Sequence, residues 1–260
     1  MGRARKSTWF AGAALAAVLA LTGYAIFSGD GEEADTPGKG RSSSSASASP
    51  GPSATYAPPD DWTEPERWVA LPRGQRTDDQ GSEIGFPKST EGAIAMMVAA
   101  NATHIEGEKT NVDEQLRIYH SYISKADHSS ENAEQIKQNA IQSDKDLAKQ
   151  MGVTHGQPLP SGAYVRNTVV GFKIIKKSDT EVSAWLLSRV VQKDGEMEKE
   201  RSSYTRTLAG AQWEGGDWKL TGAATERALQ AVQGQNQPTM AAPGDPEFNQ
   251  AGWTAIREAS

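Results

Sequence analysis

From Trp9 to Phe27 the chain carries no charged residue, and the stretch from Ser28 to Asp61 is dominated by Gly, Ser, Pro, Ala and Asp, so any packed domain has to be made further along. Nineteen residues span about 28 Å as a helix, the depth of a bilayer's hydrocarbon core. That length exceeds the roughly 7–15 apolar residues of a cleaved secretory signal. Trp9 and Phe10 stand near one end and Tyr24 and Phe27 near the other, where interfacial rings settle. Leu15, Val18, Leu19, Leu21 and Ile26 supply the apolar body between them. The expectation is a retained membrane anchor over residues 9–27, and the competing reading is a signal peptide cut after its Ala-rich core. Residues 1–8 contain Arg3, Arg5 and Lys6, and a positive flank of this kind stays cytoplasmic. A single-pass cell-membrane protein follows, with its C-terminal domain extracellular.

Residues 28–61 include Ser42-Ser43-Ser44-Ser45 and Pro50-Gly51-Pro52, too polar to order themselves by burying apolar surface. They read as a disordered linker with a root-mean-square reach on the order of 30 Å.

Composition narrows the chemistry. With 27 basic against 33 acidic residues and no dense Lys/Arg run, a direct nucleic-acid partner is not expected. The absence of cysteine removes disulfides, thiolate metal sites, cysteine nucleophiles and a lipobox lipid anchor.

Folding signals begin near Trp62 and fade after about Arg227. Ser89 is placed to cap a helix containing Ala93, Ile94, Met96, Met97 and Val98, apolar enough to be central. A second helix is predicted from about Val112 to Ser124, with Leu116, Tyr119 and Ile123 along one stripe. A third starts at Ser129 or Ser130, carries Ile136, Ala140, Leu147 and Met151 as sparse apolar positions, and stops at Gly152. It reads as mostly solvent-facing.

The period then changes. Gly162–Lys177 is rich in Val, Ile, Phe and Tyr, and Glu181–Gln192 places Val182, Trp185, Leu187, Val190 and Val191 in a second strand. Lys193-Asp194-Gly195-Glu196 reads as a hairpin turn into a third strand over about Met197–Trp213, with Gly210 a candidate bulge. Glu214-Gly215-Gly216-Asp217 is a second turn, leading into Trp218-Lys219-Leu220. The fold class predicted is α+β, helices packed on a curved antiparallel sheet of three to four strands over residues 62–227. Residues 228–260 read as a polar, mostly disordered tail in which Trp253 stands alone.

Helices followed by long antiparallel strands that close on Gln212-Trp213-Glu214-Gly215-Gly216-Asp217-Trp218-Lys219-Leu220 resemble the cone-shaped fold of the nuclear-transport-factor-2-like superfamily over about Gly85–Ala224. Joined to one membrane helix and a short basic tail, the whole chain resembles the bitopic assembly factors of type IV secretion and conjugation systems, especially those of Gram-positive mobile elements. The resemblance implies a non-enzymatic scaffold whose partners are other membrane or secretion-machine proteins and, through pairing of its domains, a second copy of itself. The fold also hosts enzymes and binding modules, so it does not carry function alone.

Residue patterns for chemistry point the same way. His104, His120, His128 and His155 are separated by 16, 8 and 27 residues, unlike the short spacing of helical zinc ligands, and read as surface histidines. Tyr119 with His120 is the one pair that would suit a pocket wall. The acidic pairs Glu106/Glu108, Asp113/Glu114, Glu131/Glu134 and Asp144/Asp146 read as solvated charge. Ser161-Gly162 lacks the flanking glycines of a nucleophile elbow, and the acidic Gly215-Gly216 turn would repel a nucleotide. No catalytic residue, metal site or cofactor is expected. Trp62 and Trp68 suit packing across the domain's own sheet or contact with a partner. The alternative function is a surface module binding a small ligand or cell-wall fragment, for which Met96, Phe172 and Trp185 would line one cavity.

Overall fold

The computed structural model describes residues 61–257. The expected basic tail 1–8, the expected membrane anchor 9–27 with its aromatic and aliphatic residues, and the expected linker up to residue 60 lie outside the described residues. No helix among the described residues is long and apolar enough to cross a membrane.

The described part is α+β, with helices on a mostly antiparallel sheet. Short strands β1 (Trp68–Ala70), β2 (Arg76–Thr77) and β3 (Glu83–Ile84) come first, then α1 (Thr90–Asn101), β4 (Thr103–Glu106), α2 (Asn111–Tyr122) and α3 (Ser130–Gln150). A meander follows of β5 (Tyr164–Lys177), β6 (Glu181–Lys193), β7 (Arg201–Glu214) and β8 (Asp217–Leu220). Helix α4 (Gly222–Ala231), a one-turn α5 (Pro246–Gln250) and β9 (Thr254–Arg257) complete it.

Helix starts follow from side-chain caps that satisfy otherwise orphaned N–H groups. Ser89 Oγ accepts from Gly92 N at 3.0 Å, Thr110 and Asp113 form a reciprocal capping box, and Ser129 and Thr221 cap α3 and α4. Helix α1 is apolar nearly all round, with Ile94, Met96 and Met97 fully buried, so it is the element around which the core closes. Helix α3 buries only Ile136, Ala140, Leu147 and Ala148, in keeping with its sparse stripe.

The meander is antiparallel throughout, and the main sheet has seven strands rather than the three to four expected. The additional ones are short. β4 pairs with β5 at Tyr164–Asn167 and β9 pairs with it at Gly171–Phe172, so two pieces of distant chain line one edge of β5 head to tail. β1 then runs parallel to β9. Register shifts that bend the sheet lie in β5, between Val169 and Gly171 and between Ile174 and Lys176. Gly210, the expected bulge, keeps an unbroken register opposite Ser183. Its hydrogen side chain serves a different need, because a Cβ there would lie 2.4 Å from the backbone of Ala224 where α4 crosses β7. The β6–β7 connection is also longer than the tight turn expected, since β7 begins at Arg201. Gly215 and Gly216, at φ +60° and +87°, make the two-residue β7–β8 hairpin that their sequence announces.

Alternation along these strands divides the interior in two. Val182, Ala184, Leu186, Ala209, Ala211, Trp218 and Leu220 face α1 and α2 in the larger core. Trp185, Leu187 and Leu208 face the other way and are covered by Ala228 of α4 and by Ala241, Phe248, Trp253 and Ala255. The covering segment belongs to residues 228–260, the stretch expected to be mostly disordered. Over residues 246–257 it is helix, turn and strand, with Phe248 and Trp253 at 0 % and 1 % exposure. Two large rings removed from water supply the stabilisation that average polarity concealed.

Candidate functional site

The interior of the helix-facing side is filled by the chain's own side chains. Phe86, Ile94, Met96, Met97, Ile118, Tyr122 and Trp218 are each almost wholly buried there. Burial raises the Tyr122 phenol above its usual range. Met96 and Phe172 belong to this core, whereas Trp185 is on the opposite side of the sheet, so the three do not line a common cavity.

Buried charges in this half hold loops and helices together. Asp217 is buried and accepts hydrogen bonds from Gly85 N and Phe86 N, both at 3.0 Å, which fastens the approach to α1 onto β8. Lys219 Nζ approaches the same carboxylate at 3.3 Å. Glu114, expected to be solvated, is instead buried in α2, with Arg117 at 2.7 Å and Lys109 closing on its other oxygen. Asp144 reaches from α3 to accept from Asn111 N at 2.8 Å, Asn111 Nδ2 at 2.9 Å and Val112 N at 3.3 Å, and so caps α2 from outside. These carboxylates are engaged by donors of their own chain, the arrangement of a structural rather than a proton-transferring group.

His120 and His128 come together beside Tyr119, their ring centroids 6.3 Å apart, while His104 and His155 lie elsewhere. His104 is exposed beside Glu106 and Arg166. His128 stacks on Tyr119 with ring centroids 4.4 Å apart. Tyr119 itself is buried, and its hydroxyl accepts from Ser129 N at 2.8 Å and donates to Ser129 O at 3.0 Å, tying α2 to the start of α3. His120 is exposed beside it, so the pair is a helix junction and not a pocket wall. Among the described residues no cluster of three or more His, Asp and Glu could hold a metal ion.

A concavity of about 270 Å³ opens where the β4–α2 turn, the second half of α3 and the loop 155–159 meet, and another of about 600 Å³ lies between Lys88–Glu91 and Lys177–Asp179. Ile105, Leu147 and Leu159 form the apolar floor of the first, and Thr110, Asp144 and His155 stand among its lining residues.

The tryptophans outside the main core form a second junction. Glu64 accepts from both indoles, Trp62 Nε1 at 2.9 Å and Trp68 Nε1 at 2.7 Å, and these two bonds hold its carboxyl below the usual range. The segment carrying them is clasped to the C-terminal stretch. Thr63 N donates to Gly244 O at 2.7 Å, Glu66 N to Asn249 Oδ1 at 2.9 Å, Asn249 Nδ2 to Glu64 O at 3.0 Å, and Ala255 N to Arg67 O at 2.9 Å. Arg257 lies over the Trp68 ring at 4.8 Å. Trp253 Nε1 donates to Thr239 O at 2.7 Å, so this ring is anchored as well as buried. The Asp245-Pro246 helix start and the Thr254–Arg257 alternation are the local signals for these elements.

No family model, curated protein or solved structure matches the chain.

Proposed function

We propose that this protein is a membrane-anchored scaffold or accessory subunit of a conjugative transfer or secretion apparatus. It acts through protein–protein contacts outside the membrane, without catalytic residues or a cofactor. In this reading residues 9–27 are the anchor, residues 28–61 the flexible reach, and the described domain a cone of the nuclear-transport-factor-2-like kind presented on the far side of the cell membrane. The observation that carries the proposal is that both sides of the meander are packed with the chain's own side chains. The buried carboxylates at Glu114 and Asp217 are likewise spent on internal donors. Contact with other molecules is then left to the outer surface, as suits a scaffold.

Proximity labelling from the external domain in the native host tests it. Transfer ATPases and channel subunits are the expected neighbours. Recovery only of wall-synthesis or transport proteins would transfer support to the second reading, a module for a small ligand or cell-wall fragment. The feature favouring that second reading is the apolar-floored concavity beside α3.

A further inference from the structure

Four large apolar side chains stand exposed among the described residues, and three of them belong to the tail-facing cover and its clasp: Trp62 at 37 %, Leu229 at 48 % and Met240 at 47 %. Leu229 follows Ala228 and Met240 precedes Ala241, and both alanines pack into the tail-facing core. Trp62 packs against Gly244, where an added Cβ would come within 2.5 Å of the ring, and its indole N–H is held by Glu64. The same stretch stands apart in charge. From Ala228 to Gly244 seventeen residues pass without an acidic or basic side chain, in a chain that is 23 % charged, and most of them face outward. A water-facing surface ordinarily carries charge throughout, whereas the headgroup region of a bilayer admits uncharged and apolar side chains and is where indoles settle.

We propose that the tail-facing cover docks on the surface of the bilayer that holds the chain, with Trp62, Leu229 and Met240 entering the headgroup region. The place where the chain joins the domain selects this occupant. The described residues begin at Asp61, one residue before Trp62, so the preceding sixty residues attach beside this surface. On the reading of residues 9–27 as a membrane anchor, on which the docking rests, residues 28–61 hold the domain within a reach on the order of 30 Å of the bilayer. A weak surface affinity then suffices, because the tether keeps the local concentration of lipid high. Headgroup charge is secondary, since the exposed Glu64, Glu66, Asp245 and Glu247 are offset by the exposed Arg67, Arg189 and Arg257. The attraction is apolar and insensitive to salt. Docked in this way, the domain turns α3 and the helix-facing side outward, toward the protein contacts proposed above.

The chain has no cysteine, so an introduced one carries a fluorophore without a second label. The full chain is reconstituted in phosphatidylcholine nanodiscs that carry a headgroup nitroxide quencher, with the fluorophore at Met240→Cys or, across the sheet, at Gln138→Cys on the exposed face of α3. Quenching at residue 240 is expected to exceed that at residue 138 roughly tenfold and to persist at high salt. Leu229→Asp alters an exposed position of α4 and is expected to bring residue 240 down to the level of residue 138, with the circular dichroism unchanged. Equal quenching at the two positions in nanodisc-bound chain, or quenching at residue 240 that Leu229→Asp leaves intact, overturns the docking while the anchor stands. Chain that does not enter nanodiscs overturns the anchor and the docking together. Neither result depends on which proteins the labelling test recovers.

Discussion

The two sides of the meander are packed by different means. On one, α1 and α2 lay continuous apolar stripes across Val182, Ala184, Leu186, Ala209 and Ala211. On the other, Trp185, Leu187 and Leu208 are covered by α4 and then by a stretch with little regular structure, held by Phe248, Trp253 and the clasp to residues 63–67. A periodic element spreads its contribution over many positions, whereas an irregular one depends on a few anchors. The helix-facing side is therefore expected to unfold with the whole domain, and the tail-facing cover to come away locally first.

The largest effect is expected at Trp218, which is 1 % exposed in the helix-facing core and donates from Nε1 to Pro87 O at 2.9 Å. Trp218→Ala leaves a large cavity and an unmet carbonyl, and should lower stability by about 4 kcal/mol. Urea unfolding would read this as a shifted midpoint with an unchanged slope. A loss below about 1.5 kcal/mol would mean that this side is not where global stability resides.

Trp253→Ala removes a ring equally buried, yet from the cover rather than the core. A loss of about 3 kcal/mol is expected, expressed as local opening. Trypsin should then cleave after Arg67 and Arg73 while residues 85–227 stay protected. Digestion of the whole domain at one rate would show instead that the two sides form a single cooperative unit.

A smaller loss is expected at Asp217, whose carboxylate meets Gly85 N and Phe86 N. Asp217→Asn turns one acceptor into a donor facing an N–H, at a cost of about 2 kcal/mol. Protection of the Gly85 and Phe86 amides from hydrogen exchange should fall with it. Retained protection would show that the loop before α1 is held by packing alone.

The same division explains what could be read from the sequence. The caps at Ser89 and Ser129, the stripes of α1 to α3, the period-two runs of β5 and β6 and the Gly215-Gly216 hairpin are local patterns, and each surfaced in the structure as the element it predicts. The cover of the tail-facing side left only short local traces, the Asp245-Pro246 helix start and the Thr254–Arg257 alternation, because Phe248 and Trp253 lie in polar surroundings and are buried by partners far away in sequence. Glu114 and Asp217 were illegible for a related reason. A carboxylate on a helix or beside a turn looks solvated until its donors, Lys109 and Arg117 in one case and the Gly85–Phe86 backbone in the other, are brought to it by the fold.

The smallest effect tests how α4 is fastened to the tail-facing side. Arg227 of α4 donates to Glu181 of β6 at 2.7 Å, with Lys176 at 3.5 Å and Gln212 at 3.3 Å beside it. The Arg227 hydrogen bonds hold the Glu181 carboxyl below its ordinary 4.5, against the opposing effect of burial. Because the folded value is the depressed one, the pair stabilises the fold above the ordinary carboxylate pKa, and that contribution disappears as pH falls through the folded value. Both groups are partly exposed, so solvent screening keeps the contribution to about 0.5 kcal/mol at neutral pH. Arg227→Gln should lose that amount near pH 7 and converge on the unsubstituted chain as the solution is acidified below the carboxylate range. A difference that stays constant down to about pH 3 would assign the effect to packing of the Arg227 stem rather than to charge. The fastening of α4 would then be apolar, like that of the helices across the sheet.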